Sequence, residues 1–324
     1  MNILFCSAGR RAELLKDFRK SLDSDDKIVA TDASNLAPAL YVADTYYIVP
    51  RIDAPNYLEV IINICVKEKI NAVTTLIDPE IELLAKNRAR FEEIGVEVLA
   101  PYTETAELCF DKLKMYQYLT AHGVPTPDTW GDYTVAMAAI ESGSLAFPVF
   151  VKPRTGSGSV GARKVDDADT LKKLCSADPT LIIQRFMDGV DLDADVYIDT
   201  ISHKAVSAFS KRKLETKIGG ASKTISFKDE KLFEFIKQIV SVLKFNGPVD
   251  MDFFYKDGVY YLSEVNPRFG GAYLHAYGAG VDFVKLIKKN VSGEENLLVF
   301  GDYEDDIVMM MYDSVVITKI AEAE

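Results

Sequence analysis

The chain has 324 residues, more than one hydrophobic core usually serves, so its length predicts two or three packed units. Its formal net charge of −12, from 49 acidic and 37 basic residues, disfavours binding to nucleic acid or to an anionic membrane surface, and we expect neither as a partner. Four cysteines without a paired spacing, no signal-like N-terminus and no apolar run of about 18 residues predict a cytoplasmic protein with reduced thiols.

Strands alternate with helices over the first hundred residues. A buried strand at 3–6 runs through a turn into a helix with apolar residues at helical spacing, and a second strand covers 27–31. The alternation predicts a parallel sheet with helices on both faces. Its remaining elements are predicted as strands at 45–49, 72–76 and 96–99 and helices at 57–67 and 80–91.

In a sheet of this kind, ligands gather beyond the carboxyl ends of the strands. Two acidic residues, Asp32 and Asp78, would lie at that edge, but each could equally cap a turn or a helix. The edge as a whole is predicted to contain Ser7, Gly9, Arg10, Asp32 and Asp78.

The remainder of the chain begins with a helix at 111–122 and a proline-rich turn, which mark a boundary. Period-two apolar patterns predict strands separated by three further helices. We predict a parallel-sheet domain at 1–108, a lobe with a glycine-rich flap at 109–187 and a lobe with a metal site at 188–324. Within the lobes, strands are predicted at 148–153, 162–165, 181–187, 194–200, 204–211, 249–255 and 259–265, and helices at 133–142, 168–175 and 229–243.

The glycine-rich stretch from Gly156 to Gly161 has the spacing G-x-G-x-x-G, which by itself is typical of a dinucleotide-binding turn. Such a turn leads into a helix, whereas 162–165 reads as a strand, so a hairpin flap whose glycines allow backbone N–H groups to close over a triphosphate is favoured. Lys152 ends the preceding strand, where its ammonium could meet phosphate oxygens. A solvated edge lysine is the alternative.

Two neighbouring strands near the end of the chain carry oxygen ligands. Glu264 and Asn266 share one face by the period of two, and Asp252 on the other strand can reach the space between them. Two carboxylates and an amide oxygen suit magnesium, and Arg268 continues the alternation toward a bound phosphoryl group. The alternative is an ordinary surface on which these side chains are solvated.

In order along the chain, these motifs resemble the ATP-grasp superfamily, most closely one synthetase half of the carbamoyl phosphate synthase large subunit. The most specific segment is Glu-Val-Asn-Pro-Arg at 264–268. The resemblance implies an α/β fold, with an N-terminal parallel-sheet (pre-ATP-grasp) domain followed by a two-lobed ATP-grasp α+β domain. The matching motifs are Lys112, Lys152, the glycine flap, Gln184 to Met187, Asp252, Glu264, Asn266 and Arg268.

Carried over by position, the resemblance implies Asp252, Glu264 and Asn266 as ligands of magnesium, which manganese could replace, and Arg268 as the residue that stabilises the transferring phosphoryl group. Two positions depart from the pattern, because many relatives carry glutamate where Gln184 stands and glutamine where Asp252 stands. The ATP ligands implied are Lys112 and Lys152 for the phosphates, Gly156, Ser157, Gly158 and Gly161 of the flap over them, Gln184, Arg185, Phe186 and Met187 as the adenine-binding hinge, and Asp191 for the ribose hydroxyls.

Lys211 is the second candidate catalytic residue. It begins a lysine- and glycine-rich segment at 211–223, which we expect to be a loop covering an anionic substrate, although an exposed turn would read the same way. Further along, His275 would line the acceptor pocket or lie satisfied in the interior.

The resemblance implies a ligase that activates a carboxylate with ATP as an acylphosphate and joins it to an amine or similar nucleophile. Its partners would be small carboxylate and amine substrates, and a homodimer is the general expectation. One alternative is a nucleotide-binding regulatory protein without turnover. Another is a dinucleotide-dependent oxidoreductase, which the lack of further glycines after Gly9 disfavours.

Overall fold

A computed structural model describes residues 1–156, 161–217 and 220–320, so the flap residues Ser157 and Gly158 lie outside the described residues. The described strands form three sheets of five, four and seven strands. Among the described residues, no helix has the length and apolar character needed to cross a membrane.

The first sheet is parallel throughout, as the alternation of strands and helices predicted. The helix predicted at 80–91 is instead two helices, because the backbone leaves the helical conformation at Asn87 (φ −109°, ψ 13°). The elements are β1 (Asn2–Cys6), α1 (Ala12–Ser21), β2 (Lys27–Asp32), a 3-10 helix (Pro38–Val42), β3 (Thr45–Ile48), α2 (Tyr57–Glu68), β4 (Ala72–Thr75), α3 (Asp78–Lys86), α4 (Arg88–Glu92), β5 (Glu97–Val98) and α5 (Thr103–Phe110).

Successive residues of β1 belong to two different cores, as the period of a strand requires. Leu4 packs in a cluster with residues of α2 and α3 on one face of the sheet. Ile3 and Phe5 face the other side, where one continuous core joins α1 to the seven-stranded sheet. The first sheet and the largest sheet therefore share a hydrophobic core.

The four-stranded sheet is antiparallel, in the order β6-β9-β7-β8, and has a small hydrophobic core of its own. Its β7 and β8 are the strands that flank the glycine flap. The elements of this region are α6 (Lys112–Ala121), β6 (Thr129–Trp130), α7 (Tyr133–Glu141), β7 (Val149–Pro153), β8 (Arg163–Val165), α8 (Ala168–Ala177) and β9 (Leu181–Arg185).

The seven-stranded sheet has the order β14-β13-β10-β11-β12-β16, with β15 parallel to β11. The loop predicted at 211–223 is wrong, because β11 continues to Lys217 and β12 begins at Gly220. The elements are β10 (Val190–Ile198), β11 (Ala205–Lys217), β12 (Gly220–Ser226), α9 (Glu230–Val242), β13 (Gly247–Lys256), β14 (Val259–Asn266), α10 (Tyr273–Gly278), α11 (Phe283–Val291), β15 (Val299–Phe300) and β16 (Val308–Met310).

The two faces of this sheet differ in chemistry. The apolar face packs on α9, where the rings of Phe235 and Phe253 lie 5.9 Å apart. Arg212 is in register with Leu192 and Phe253 of the apolar face. The lysines that made 211–223 look like a loop form ion pairs within the sheet: Lys211 and Lys213 with aspartates of the opposite, polar face, and Lys223 with Glu215 across β11 and β12 at 2.8 Å. Their charge therefore reflects a polar sheet face and not an irregular segment.

Replacing Phe269 with alanine is expected to lower the free energy of unfolding by about 3–5 kcal/mol, because the ring is buried where the shared core meets the polar face. Its ring lies 5.4 Å from Phe18 of α1 and 4.9 Å from Tyr273 of α10, both edge-on. Urea unfolding followed by circular dichroism measures the change. Leu36→Ala, at an exposed position, should change stability by less than about 0.5 kcal/mol. A loss below about 1 kcal/mol in Phe269→Ala would contradict the shared core.

His275→Asn should make the protein less sensitive to mild acid. The His275 imidazole is buried on α10, with Nδ1 2.7 Å from Thr224 Oγ1, and burial, aided by the charge of Lys211, lowers its pKa from 6.5 to about 4. The unfolded chain thus binds more protons between these values, so stability falls as the pH drops through that window. Between pH 7 and pH 5 the native protein should lose about 2 kcal/mol more than the variant. Equal losses in urea titrations at the two pH values would refute the interior placement.

Candidate active site

Four strands of the large sheet carry polar residues in register on one face. One row crosses the sheet from β11 through β10 and β13 to β14, and the next row lies two residues further along the strands. Because side chains on a strand alternate between faces, both rows lie on the same side of the sheet. The first row is Lys211, Asp193, Asp252 and Glu264, and the second includes Asp195, Asp250 and Asn266.

The predicted magnesium ligands lie together on this face. Asp252 and Glu264 are directly opposite each other on adjacent strands, and Asn266 follows two residues later. Lys213 contacts Asp252 and its Nζ also lies 3.0 Å from Asp191 Oδ1, which is the predicted ribose ligand. The ammonium of Lys213 between Asp191 and Asp252 indicates that the site favours positive charge. The oxygen donors of Asp252, Glu264 and Asn266 fit a hard divalent cation.

Two lysines from the region of the four-stranded sheet, Lys112 and Lys152, act electrostatically on Glu264. Lys112 is the first residue of α6, its Nζ contacts the Gly156 carbonyl and it lies 3.8 Å from Glu264 Oε1. Lys152 is buried in β7, and burial lowers its pKa while the charge of Glu264 opposes that effect. Burial likewise raises the pKa of Glu264, against the charges of Lys112 and Lys152. The two predicted phosphate ligands and one predicted metal ligand are therefore neighbours.

The predicted adenine hinge runs along the end of β9, with Phe186 half-buried and Met187 buried. The amide of Gln184 donates to Thr129 Oγ1 at 2.9 Å, and Arg185 pairs with Asp128 at 2.8 Å. Both side chains are thus engaged within the four-stranded sheet. The roles of these four residues with adenine stay predictions.

The flap is described only at its ends. Gly156 and Gly161 have φ values of +95° and +76°, a conformation that favours glycine. The residues on either side lie in antiparallel β7 and β8, which matches the hairpin interpretation of the glycine motif.

Lys211 lies in the interior of β11 and is fully buried, not in an exposed loop. Its Nζ is 3.0 Å from Asp193 Oδ1 and also pairs with Asp195. Burial alone would lower the pKa of Lys211, but these carboxylates raise it. The carboxylates of Asp193, Asp195 and Asp250 lie within 4.8 Å of one another, and burial raises the pKa of Asp195 to about 6. The catalytic role of Lys211 stays a prediction.

The two acidic residues predicted at the edge of the parallel sheet have different partners. Asp32 accepts the backbone N–H groups of Gly9 and Ser34, each at 2.9 Å, so it anchors a turn. Asp78 instead pairs with Arg268, whose Nε lies 2.7 Å from Asp78 Oδ1. The capping alternative holds for Asp32, whereas Asp78 belongs to the candidate site.

Several charged residues of the site were missing from the sequence-based set. Arg11 Nη2 donates to the Gly270 carbonyl at 2.5 Å, next to Arg268. The signal for the others was present as a period of two in β10, β11 and β13, and in β11 the loop predicted at 211–223 hid it. They are Lys213, Asp193, Asp195 and Asp250.

Comparison with known proteins identifies the family of this chain. A model of the ATP-grasp domain matches residues 109–272, and a model of the PylC-like N-terminal domain matches residues 3–99. The chain is 27% identical over 173 residues to carbamoyl-phosphate synthase from Methanobrevibacter smithii, covering 52% of this chain and 45% of that protein. It therefore spans less than half the length of that relative.

D-alanine–D-alanine ligase from Bacillus anthracis is 24% identical over 255 residues, covering 70% of this chain and 84% of that protein. The biotin carboxylase domain of 2-oxoglutarate carboxylase from Hydrogenobacter thermophilus, solved with MgADP and bicarbonate, shares the fold with a TM-score of 0.74. It is 17% identical in sequence, and the alignment covers 94% of this chain and 73% of that one. Since the ATP-grasp model matches half of the chain, the predicted resemblance is confirmed and the chain belongs to the ATP-grasp family.

Proposed function

We propose that this protein is a magnesium-dependent ligase that activates a carboxylate with ATP, as an acylphosphate, and transfers the acyl group to an amine or similar nucleophile. One observation carries the proposal. Lys112 Nζ lies 3.8 Å from Glu264 Oε1, and the buried Lys152 acts on the same carboxylate electrostatically. Glu264 stands opposite Asp252 in the polar row, and Arg268 follows it along the chain. The predicted phosphate ligands thus lie near the predicted metal ligands, which supports phosphoryl transfer as the chemistry of this site.

Each group has a separate task in that reaction. Lys112 and Lys152 would bind the nucleotide phosphates as point charges, under the flap that Gly156 and Gly161 delimit. Asp252, Glu264 and Asn266 would hold magnesium, which when bound neutralises charge on the transferring phosphoryl group. The nucleotide would lie between the lobe at 109–187 and the lobe at 188–324, and the flap would exclude water from the acylphosphate.

Arg268 supplies guanidinium donors beside the metal ligands. Three of its five N–H groups are used in contacts among the described residues, two with Asp78 and one with the Phe269 carbonyl. Two donors are left for the oxygens of the phosphoryl group, and a planar fork suits that geometry. The substrates would be small molecules with a carboxylate and an amine.

The main competing function is nucleotide binding without turnover, as in a regulatory protein. The grouping of the three predicted metal ligands with Arg268 favours turnover. The oxidoreductase alternative would need the glycine segment as a dinucleotide-binding turn, which connects a strand to a helix. The segment instead connects the antiparallel strands β7 and β8.

Glu264→Gln is expected to reduce ATP turnover by at least about 100-fold, because it removes one negative metal ligand while keeping the side-chain shape. The assay is magnesium-dependent release of ADP and phosphate in the presence of pooled carboxylic acids and amino acids. Glu107→Gln is the matched control, since Glu107 pairs with Lys86 at 3.4 Å on the surface outside the cleft. Thermal melting of both variants checks that the fold is kept.

The products distinguish the competing functions. Release that depends on one substrate pool and disappears in Glu264→Gln supports the ligase and begins to identify its substrates. AMP and pyrophosphate in place of ADP and phosphate would exclude the acylphosphate route. ATP binding that no pool converts into turnover would favour the regulatory function.

A further inference from the structure

The guanidinium of Arg268 is held by a carboxylate from the parallel-sheet region. Arg268 Nε lies 2.7 Å from Asp78 Oδ1, and Nη2 lies 3.3 Å from Asp78 Oδ2. Both side chains are mostly buried, with 15% and 20% of their surfaces exposed. A two-point contact between a planar guanidinium and a carboxylate fixes direction as well as distance.

The position of Asp78 is itself tightly determined. Asp78 is the first residue of α3 and is separated from β4 only by Leu76 and Ile77. Pro79 follows at the start of the helix, where its ring suits the backbone. Two residues on, the buried carboxylate of Glu80 accepts hydrogen bonds from Ser7 Oγ at 2.7 Å and Thr75 Oγ1 at 2.6 Å. This network ties the start of α3 to the ends of β1 and β4, so Asp78 is presented from a rigid edge of the sheet.

The segment after Arg268 is held from the same region. Arg11 Nη2 donates to the Gly270 carbonyl at 2.5 Å, and the Phe269 ring packs edge-on against Phe18 at 5.4 Å. Three consecutive residues, 268–270, are therefore each contacted by a side chain from α3, from α1 or from the turn before α1. The backbone there has little freedom, and the guanidinium direction depends on Asp78.

Without Asp78, the nearest alternative partners of Arg268 are carboxylates of the active site itself. Asp78 lines the same cleft as Glu264 and Asn266, and Asp250 and Glu264 also act electrostatically on Arg268. An untethered guanidinium would be drawn toward these residues and would compete with the cation that they are proposed to bind. Asp78 keeps the charge of Arg268 beside the metal ligands without placing it on them.

We propose that Asp78 is a positioning residue for phosphoryl transfer: its carboxylate orients the Arg268 guanidinium so that two N–H groups point to the transferring group. This inference rests on the proposed function. It assigns the parallel-sheet region a part in the chemical step, through Arg268, in addition to any part in substrate binding.

Steady-state kinetics of Asp78→Asn test the proposal. The expected result is a fall in kcat of about 10- to 100-fold with the KM for ATP changed less than about threefold, because a misdirected guanidinium weakens the transition state more than nucleotide binding. Asp78→Glu, which keeps the charge, should recover part of kcat. Glu107→Gln should match the native protein. A rise in KM that accounts for the whole loss would overturn the positioning role.

The dependence on Arg268 is tested by combining variants. In an Arg268→Ala background, where the orienting carboxylate has nothing to hold, Asp78→Asn should lower kcat by less than about twofold. The same fold-loss in both backgrounds would show that Asp78 acts independently of Arg268 and would overturn the proposal.

A stability cycle separates this inference from the proposed function. The unfolding equilibrium constant is measured for Asp78→Asn, Arg268→Gln and the double variant. The constant of the double variant should differ by about tenfold from the value expected if the two single effects were independent, because the ion pair is mostly buried. Additive effects within about twofold would overturn the pairing whether or not turnover is found. Coupling in a protein that turns over no substrate pool would retain the orientation of Arg268 by Asp78 and overturn the ligase.

Discussion

Charge compensation on the polar face of the large sheet is the constraint on which the site depends. Five aspartates on β10 and β13 occupy consecutive in-register positions of one face, and in water-poor surroundings like charges at this spacing repel strongly. Lys211 and Lys213 lie among them and pair with four of the five. Removing Lys211 would leave the buried carboxylates of Asp193 and Asp195 without this partner, which costs more than the intact pair contributes.

The two lysines of this face, Lys211 and Lys213, differ in how deeply they are buried. Lys211 is enclosed and pairs with carboxylates that are buried with it, so its charge serves the interior of the sheet. Lys213 pairs with Asp191 and Asp252 nearer the cleft, where a nucleotide and a metal would bring compensating groups of their own. A single alternation along β11 thus produces a fully buried lysine and, two residues later, a lysine nearer the cleft.

The segment that carries Arg268 depends on all three parts of the molecule. β14 presents Glu264 and Asn266 on one face and ends there, and Arg268 follows in a bend in which its backbone N–H donates to the Asn266 carbonyl at 2.7 Å. The shared core fixes Phe269, and the parallel-sheet region supplies the partners of residues 268–270. The four-stranded sheet has a separate core and contributes Lys152, while α6 contributes Lys112, whose Nζ lies 3.8 Å from Glu264 Oε1. The candidate site exists only where these units come together.

Local pattern was sufficient for much of the structure. The parallel sheet, the strands on either side of the glycine flap and the grouping of Asp252, Glu264 and Asn266 follow from periods of two and 3.6, which short-range backbone geometry imposes. The same reasoning failed at 211–223, because lysine and glycine there resemble loop composition. It also predicted one helix at 80–91 where there are two, because no proline or glycine marks the break at Asn87.

The sequence by itself determined which elements form, which residues share a strand face and which family the motifs resemble. Only the tertiary structure decided what each charge pairs with: Asp32 with backbone amides, Asp78 with Arg268 across 190 positions, and Lys211 with aspartates in the interior. The physical reason is that periodicity acts over neighbouring residues, whereas an ion pair depends on where distant segments meet and on how much water remains between them.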